Sequence, residues 1–262
     1  MTLLHYDLLE GPAPDAPFVV LSAGLGGLAG YWAPQMTALR RRYRVLAYDQ
    51  RGTGRNRQDL PDGYAIADMA AEVAAMLDAA RIERCHFVGH ALGGLVGLAL
   101  AQAAPERLRA LVVVNGWAAA DAHTRRCFET RLALLGGSGP AAYVRAQPLF
   151  LYPAAWMAGN AARLEAEDAN GLAHFQGEAT LRRRIDALLR FDARPLLPEI
   201  RTPTLLVASQ DDMLVAPQQS DALAAGLPNA TLHTLPWGGH AVNVTAPDAF
   251  ESVMMPFLAA HD

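Results

Sequence analysis

The sequence contains no lysine: all 22 cationic residues of the 262-residue chain are arginine. That absence excludes Schiff-base catalysis, covalent pyridoxal attachment and a Walker-type phosphate loop, each of which needs the primary amine. Cysteine is scarce too. Cys85 and Cys127 are the only two; they lack CxxC spacing, and Cys85 sits in an apolar run that reads as core. The eight histidines include no i, i+4 pair bearing a carboxylate, so no metal is expected. No cofactor is expected either, since Gly24-Leu25-Gly26-Gly27 is not followed by the acid of a dinucleotide fingerprint. Long apolar runs are missing: none approaches the ~20 residues of a membrane span. The first one, Phe18 to Leu21, is too short for a secretory leader. A cytoplasmic protein without a membrane partner is the expectation. A basic stripe is also missing. The net charge is −4, which argues against a nucleic-acid partner.

What is present is enough apolar sequence for a full core. The runs Phe18–Leu21, Val45–Tyr48, His86–Val88, Leu111–Val114 and Thr204–Val207 show no polar alternation. Strands of that kind have both faces covered, as in a parallel sheet. Between them, Ile66, Met69, Ala70, Val73, Met76 and Leu77 form one helical stripe. Leu92 to Ala104 reads as a second helix, stopped by Pro105. Its Gly93, Gly94 and Gly97 cost roughly 1 kcal/mol each against Ala, which close approach of helix to sheet would offset. Alternating strands and helices predict a doubly wound α/β fold. Residues 117–200 have no strand-like run; helical stretches broken at Gly136-Gly137, Pro148, Pro153 and Gly171 predict a helical cap. The expected division is a core of residues 1–116 and 201–262 with a cap at 117–200. Arg182-Arg183-Arg184 reads as a solvated helix face.

The chemistry concentrates at strand ends. Val88-Gly89-His90-Ala91-Leu92-Gly93 has the Gly-x-nucleophile-x-Gly frame between a strand and a helix, with Ala91 at the nucleophile position. A methyl group cannot attack a carbonyl. Asp211-Asp212 follows the strand at Thr204, and His240 follows the strand Thr231–Leu235. The order elbow, acid, histidine is the one this kind of site requires. His240 and one of these two acids are therefore the candidate catalytic pair. The backbone N–H groups of Leu25 and Leu92 are candidates for an oxyanion or anion hole. His90 reads as support for the elbow. Asp49 and Arg51, in Asp49-Gln50-Arg51-Gly52-Thr53-Gly54, read as loop-tying residues.

These motifs resemble the α/β-hydrolase superfamily over nearly the whole chain. That resemblance implies a mostly parallel central sheet, helices on both faces, and a helical cap inserted after the sixth strand. It also selects Asp212 over Asp211 as the catalytic acid, because Asp212 opens an Asp-x-Leu-Val run like that of the superfamily. A narrower resemblance rests on Val114-Asn115-Gly116-Trp117, His123-Thr124-Arg125-Arg126-Cys127-Phe128, Ala146 to Pro153 and Ala173-His174-Phe175-Gln176-Gly177. These are similar to the RutD family of pyrimidine (uracil) degradation, which also carries Ala at the elbow. The family resemblance implies hydrolysis of carbamate or deamination of 3-aminoacrylate, both small and anionic. It places Asn115, Trp117 and His123 at the pocket wall. From the cap, Arg125 or Arg126 is expected to clamp a carboxylate. It leaves a homodimer open. Two alternatives stand beside this reading: a non-catalytic ligand-binding or scaffold protein, and another cofactor-free His–Asp enzyme such as a dioxygenase or hydroxynitrile lyase, which would need a larger pocket.

Overall fold

The apolar runs lie side by side in one seven-stranded sheet, in a computed structural model that describes residues 3–262. The strands are β1 (Tyr6–Leu9), β2 (Phe18–Ser22), β3 (Arg44–Tyr48), β4 (Cys85–His90), β5 (Leu108–Val114), β6 (Thr204–Ser209) and β7 (Ala230–Leu235). Their spatial order is β1-β3-β2-β4-β5-β6-β7. All pairings are parallel except β1 with β3, where Tyr6 lies opposite Tyr48. β1 is a short, half-exposed edge strand, and its four residues are too few to announce themselves by pattern.

Side chains alternate between two buried faces, as a period of two demands. Val20, Leu46, Phe87, Leu111 and Leu206 pack on one side. Val19, Val45, Val88, Val112 and Val207 pack on the other. Each such side chain contributes about 1.5–3 kcal/mol on burial. The first face is covered by α2 (Ile66–Ala79), α3 (Leu92–Ala103) and α8 (Gln218–Gly226). The second is covered by α1 (Met36–Arg40) and the C-terminal α10 (Pro247–Ala259), which follows the short α9 (Val242–Thr245). The predicted α2 stripe is buried in full. The α3 glycines do mark close approach: a Cβ at Gly94 would stand 2.7 Å from Val113 Cγ1, and one at Gly97 would meet Leu111 and Phe87.

Between β5 and β6 come four helices: α4 (Ala122–Leu151), α5 (Ala154–Gly159), α6 (Ala161–Ala173) and α7 (Glu178–Arg190). They follow the fifth described strand, not the sixth, because only one strand, β1, precedes the parallel series among the described residues. At the neck of the insertion the Ala193 N–H donates to the Ala118 carbonyl at 2.8 Å. Asp121 starts α4 by accepting the Thr124 N–H at 2.7 Å. The break inside α4 falls at Gly139, with φ 81°, rather than at Gly136-Gly137. Gly139 precedes Pro140, whose ring disfavours helical backbone in the residue before it, and glycine alone takes positive φ without penalty. Pro148 and Gly171 lie inside helices, whereas Pro153 does end one. Among the described residues no helix is long and apolar enough to cross a membrane.

Candidate active site

The elbow between β4 and α3 is fully built around Ala91. Its backbone is at φ 46°, ψ −113°, a conformation that costs a residue with a Cβ of order 1–3 kcal/mol. The Ala91 N–H is held by the Val114 carbonyl at 2.8 Å. A Cβ at Gly89 would overlap the Gly93 carbonyl, and one at Gly93 would overlap the Ser22 carbonyl. The two glycines are thus required by the turn, and the strained position is kept although no nucleophile occupies it.

The acid and the histidine meet. His240 Nδ1 lies 2.8 Å from Asp212 Oδ2. The other Asp212 oxygen accepts the N–H groups of Leu214 at 2.8 Å and Val215 at 2.9 Å. A carboxylate so occupied takes Nδ1–H as donor and leaves Nε2 as the basic nitrogen. Asp211 serves the turns instead, accepting the Ser209 hydroxyl at 2.7 Å and the Gly239 N–H at 2.8 Å.

His240 is fixed through its backbone as well. Its carbonyl accepts from Asn115 Nδ2 at 2.7 Å and from His90 Nε2 at 2.8 Å. Asn115 also accepts the Ser209 N–H at 3.0 Å. It adopts φ 48°, which asparagine tolerates better than most residues. Asn115 is therefore a bracket behind the histidine loop, not the pocket wall expected of it. His90 supports the loop, as its place in the elbow implies. Burial, and then the field of His240, push its pKa well below the usual range, so its ring is neutral. Donation from Nε2 leaves Nδ1 without a partner, and the ring stacks on Tyr31 at 4.8 Å.

Above Ala91 lies a cavity of about 720 Å³ lined by His240, Leu25, Leu92 and Trp117 among others. Its wall is largely apolar, with Phe128, Val144, Leu151, Phe175 and Leu214 contributing. Leu25 belongs to a loop held from below by Arg184, whose Nη2 donates to the Leu25 carbonyl at 3.1 Å and to Gln50. Gln50 in turn donates to the Ala23 carbonyl at 2.7 Å. Arg184 is fully buried, so the arginine run is not a solvated face as a whole: Arg182 and Arg183 pair with Glu178 and Asp62 at the surface while Arg184 points inward. Burial pulls the Arg184 pKa down to about 10, which keeps it charged at neutral pH. Asp49 ties the same region down as expected, accepting from Ala29 and Arg55.

One further expected wall residue, His123, and both candidate clamps, Arg125 and Arg126, do not reach the cavity. His123 is exposed and its Nε2 lies 2.7 Å from the Met213 carbonyl. Arg125 donates to the Leu189 carbonyl at 2.8 Å and lines a separate groove. Arg126 is exposed. The reason is helical pitch. The buried face of α4 carries Thr124, Cys127, Phe128, Arg131 and Leu135, so positions 123, 125 and 126 fall outside it. Two cap arginines line the cavity: Arg163 on α6, exposed and paired with Glu167 at 2.8 Å, and the buried Arg131 on α4. The sequence carried a signal for Arg131: a charged residue at a core position of that apolar stripe. Among the described residues no group of three or more His, Cys, Asp or Glu is placed to hold a metal ion.

Comparison with known proteins agrees with this fold. Residues 17–140 match the family model for the alpha/beta hydrolase fold. A protein of Stutzerimonas stutzeri named "Putative carbamate hydrolase RutD" is 53% identical over 256 residues, covering 98% of this chain and 97% of its own. The crystal structure of a hydrolase from Pseudomonas aeruginosa PA01 superposes with a TM-score of 0.86 at 33% identity, covering 97% of this chain and 93% of that one. The enol-lactonase from Burkholderia xenovorans LB400 superposes at 0.87 with 28% identity, over 98% and 96%. With near-complete coverage at this identity, the chain belongs to the RutD family of α/β-hydrolases.

Proposed function

We propose that the protein hydrolyses a C–N bond in a small anionic acid, carbamate or 3-aminoacrylate, by proton transfer through His240 and Asp212, with no ester formed on the protein. The observation that carries this reading is the pairing of an intact dyad, 2.8 Å from Nδ1 to Oδ2, with an alanine in a fully formed elbow. A chain that had lost chemistry altogether would have no use for a buried, doubly braced imidazole. The name borne by the relatives, carbamate hydrolase, supports the same substrate class.

Each reaction balances without a nucleophile on the protein. For carbamate, a proton delivered to nitrogen breaks the C–N bond and releases ammonia and carbon dioxide. For 3-aminoacrylate, a proton placed on the carbon next to the carboxylate gives the iminium. Water then adds to the far carbon, losing its proton to His240 Nε2; the imidazole returns that proton to the nitrogen, ammonia leaves, and the carbinol hydroxyl gives up its proton to form the aldehyde acid. Asp212 holds the imidazole in one tautomer and stabilises its protonated form. Leu25 and Leu92 offer N–H groups to negative charge above Ala91, at the start of α3 where the helix dipole favours it. Time-resolved NMR of freshly generated 3-aminoacrylate and of carbamate, with and without protein, tests the proposal. Acceleration of at least one is the expected result; spontaneous rates for both would discard it.

The cavity supports a second reading. About 720 Å³ of mainly apolar wall exceeds what carbamate alone fills, which favours another cofactor-free His–Asp reaction on a larger acid. A panel of longer carboxylic substrates separates the two readings.

A further inference from the structure

Arg131 is a buried cation without an anion. Its residue is 4% exposed, and it lies on the cavity wall. Nη2 donates to the Tyr143 hydroxyl at 3.0 Å and to Gln147 Oε1. Nε finds no acceptor, and no carboxylate of the described residues pairs with the group. Aromatic rings surround it: its guanidinium carbon stands 4.9 Å from the Phe128 ring centre and 5.5 Å from those of Tyr143 and Phe150. Taking an unpaired charge into such a setting costs several kcal/mol. Arg184, equally buried and likewise with an unpartnered Nε, differs in that it is not among the residues lining this cavity and both of its terminal nitrogens bind acceptors, on Arg51, Leu25 and Gln50. The acids that line the cavity lie on α6: Glu167, already engaged by Tyr152 at 2.9 Å and Arg163 at 2.8 Å, and the half-buried Asp168.

The cluster is assembled by the break in α4. Arg131 precedes Gly139; Tyr143 and Gln147 follow it. In a straight helix, residues 131 and 143 would stand about 18 Å apart along the axis. The turn at Gly139 folds the second half back, so a phenol and an amide cradle one end of the guanidinium while the rest stays free.

We infer that Arg131, positioned by Tyr143 and Gln147, is the receptor for the substrate's carboxylate, and that the substrate is a monocarboxylic acid whose reacting carbon is separate from its carboxylate. This rests on the proposed function, and within it selects the amino-acrylate type of substrate over carbamate, whose carboxylate is itself the reacting group. An arginine fork binds a carboxylate by two parallel N–H···O bonds, and the apolar surround strengthens the pair.

Calorimetric titration with acrylate and its neutral isostere acrylamide tests the inference, using wild type, Arg131→Met and Arg131→Lys. Acrylate is expected to bind at least about tenfold more weakly to Arg131→Met than to wild type, as for a lost charged hydrogen bond. Arg131→Lys should recover part of the loss, because the charge returns without the fork. Acrylamide should bind at least about tenfold more weakly than acrylate. Equal acrylate affinity in wild type and Arg131→Met, with both giving native near-UV circular dichroism, would overturn the inference. So would wild type that binds neither ligand or does not prefer the acid. Because binding is read without turnover, failure here is distinct from failure of the proton-transfer chemistry, which the NMR time course reads.

Discussion

At the scale of single residues, Ala91 is where backbone and side chain disagree. The backbone presents its residue as a nucleophile, at φ 46°, and the side chain has nothing to attack with. Ala91→Ser is expected to restore what the geometry is ready for: a burst of p-nitrophenolate from p-nitrophenyl acetate that the wild type lacks. A burst in the wild type would contradict the reading of the elbow. Asn115 makes the opposite kind of prediction. Its side chain joins the His240 and Gly239 carbonyls to the Ser209 N–H. Asn115→Ala should lower stability by about 2 kcal/mol and reduce activity, since a freed loop no longer holds His240. Chemical denaturation and kcat measure the two effects; an unchanged kcat would remove Asn115 from the support of the site.

At the scale of elements, legibility followed locality. The elbow, the acid loop and the histidine loop each lie within a few residues of a strand end, and a short motif describes them completely. The α2 stripe and the glycine face of α3 were equally plain, because their periodicities are intrinsic to a helix on a sheet. The cap was legible as helices but not as a site. Whether an arginine of α4 faces the cavity depends on the phase of its buried stripe, and Arg131 meets Tyr143 and Gln147 only through the break at Gly139. Arg184 was hidden for a related reason: in a run of three arginines at one turn of helix, pitch alone decides which one points inward. Its role belongs to this scale, since it joins α7 to the Leu25 loop. Arg184→Met should leave the Arg51 and Gln50 acceptors unpaired and the Leu25 carbonyl with only the long bond from Gln176, destabilising by about 1–3 kcal/mol. The amide of Leu25 should exchange faster with deuterium; unaltered exchange would disconnect Arg184 from the loop.

At the scale of the whole molecule, two histidines in the core set a pH limit. Burial pushes His86 down to about 4, against the opposing pull of its Asp262 partner 3.0 Å away. His90 is pushed down in the same direction. Above pH ~6.5, the unfolded value, both rings are neutral in folded and unfolded chains, and their contribution to stability is complete. As the pH falls below that value the unfolded chain takes up protons the folded one resists, so stability is lost progressively toward pH 4. For His86 the loss is on the order of 2–3 kcal/mol. Melting temperature followed from pH 7.5 to 4.5 should decline, and decline less in His86→Gln. Identical slopes would show that His86 does not carry the effect.

The whole molecule also bears the central claim, that a hydrolase scaffold works here by moving protons. Ammonia release from freshly generated 3-aminoacrylate, compared between wild type, His240→Ala and no protein, tests it most directly. Wild type is expected to accelerate release by about 10²–10⁴-fold, the usual yield of acid–base catalysis, and His240→Ala to return it to the spontaneous rate. Equal rates for wild type and His240→Ala would contradict the claim.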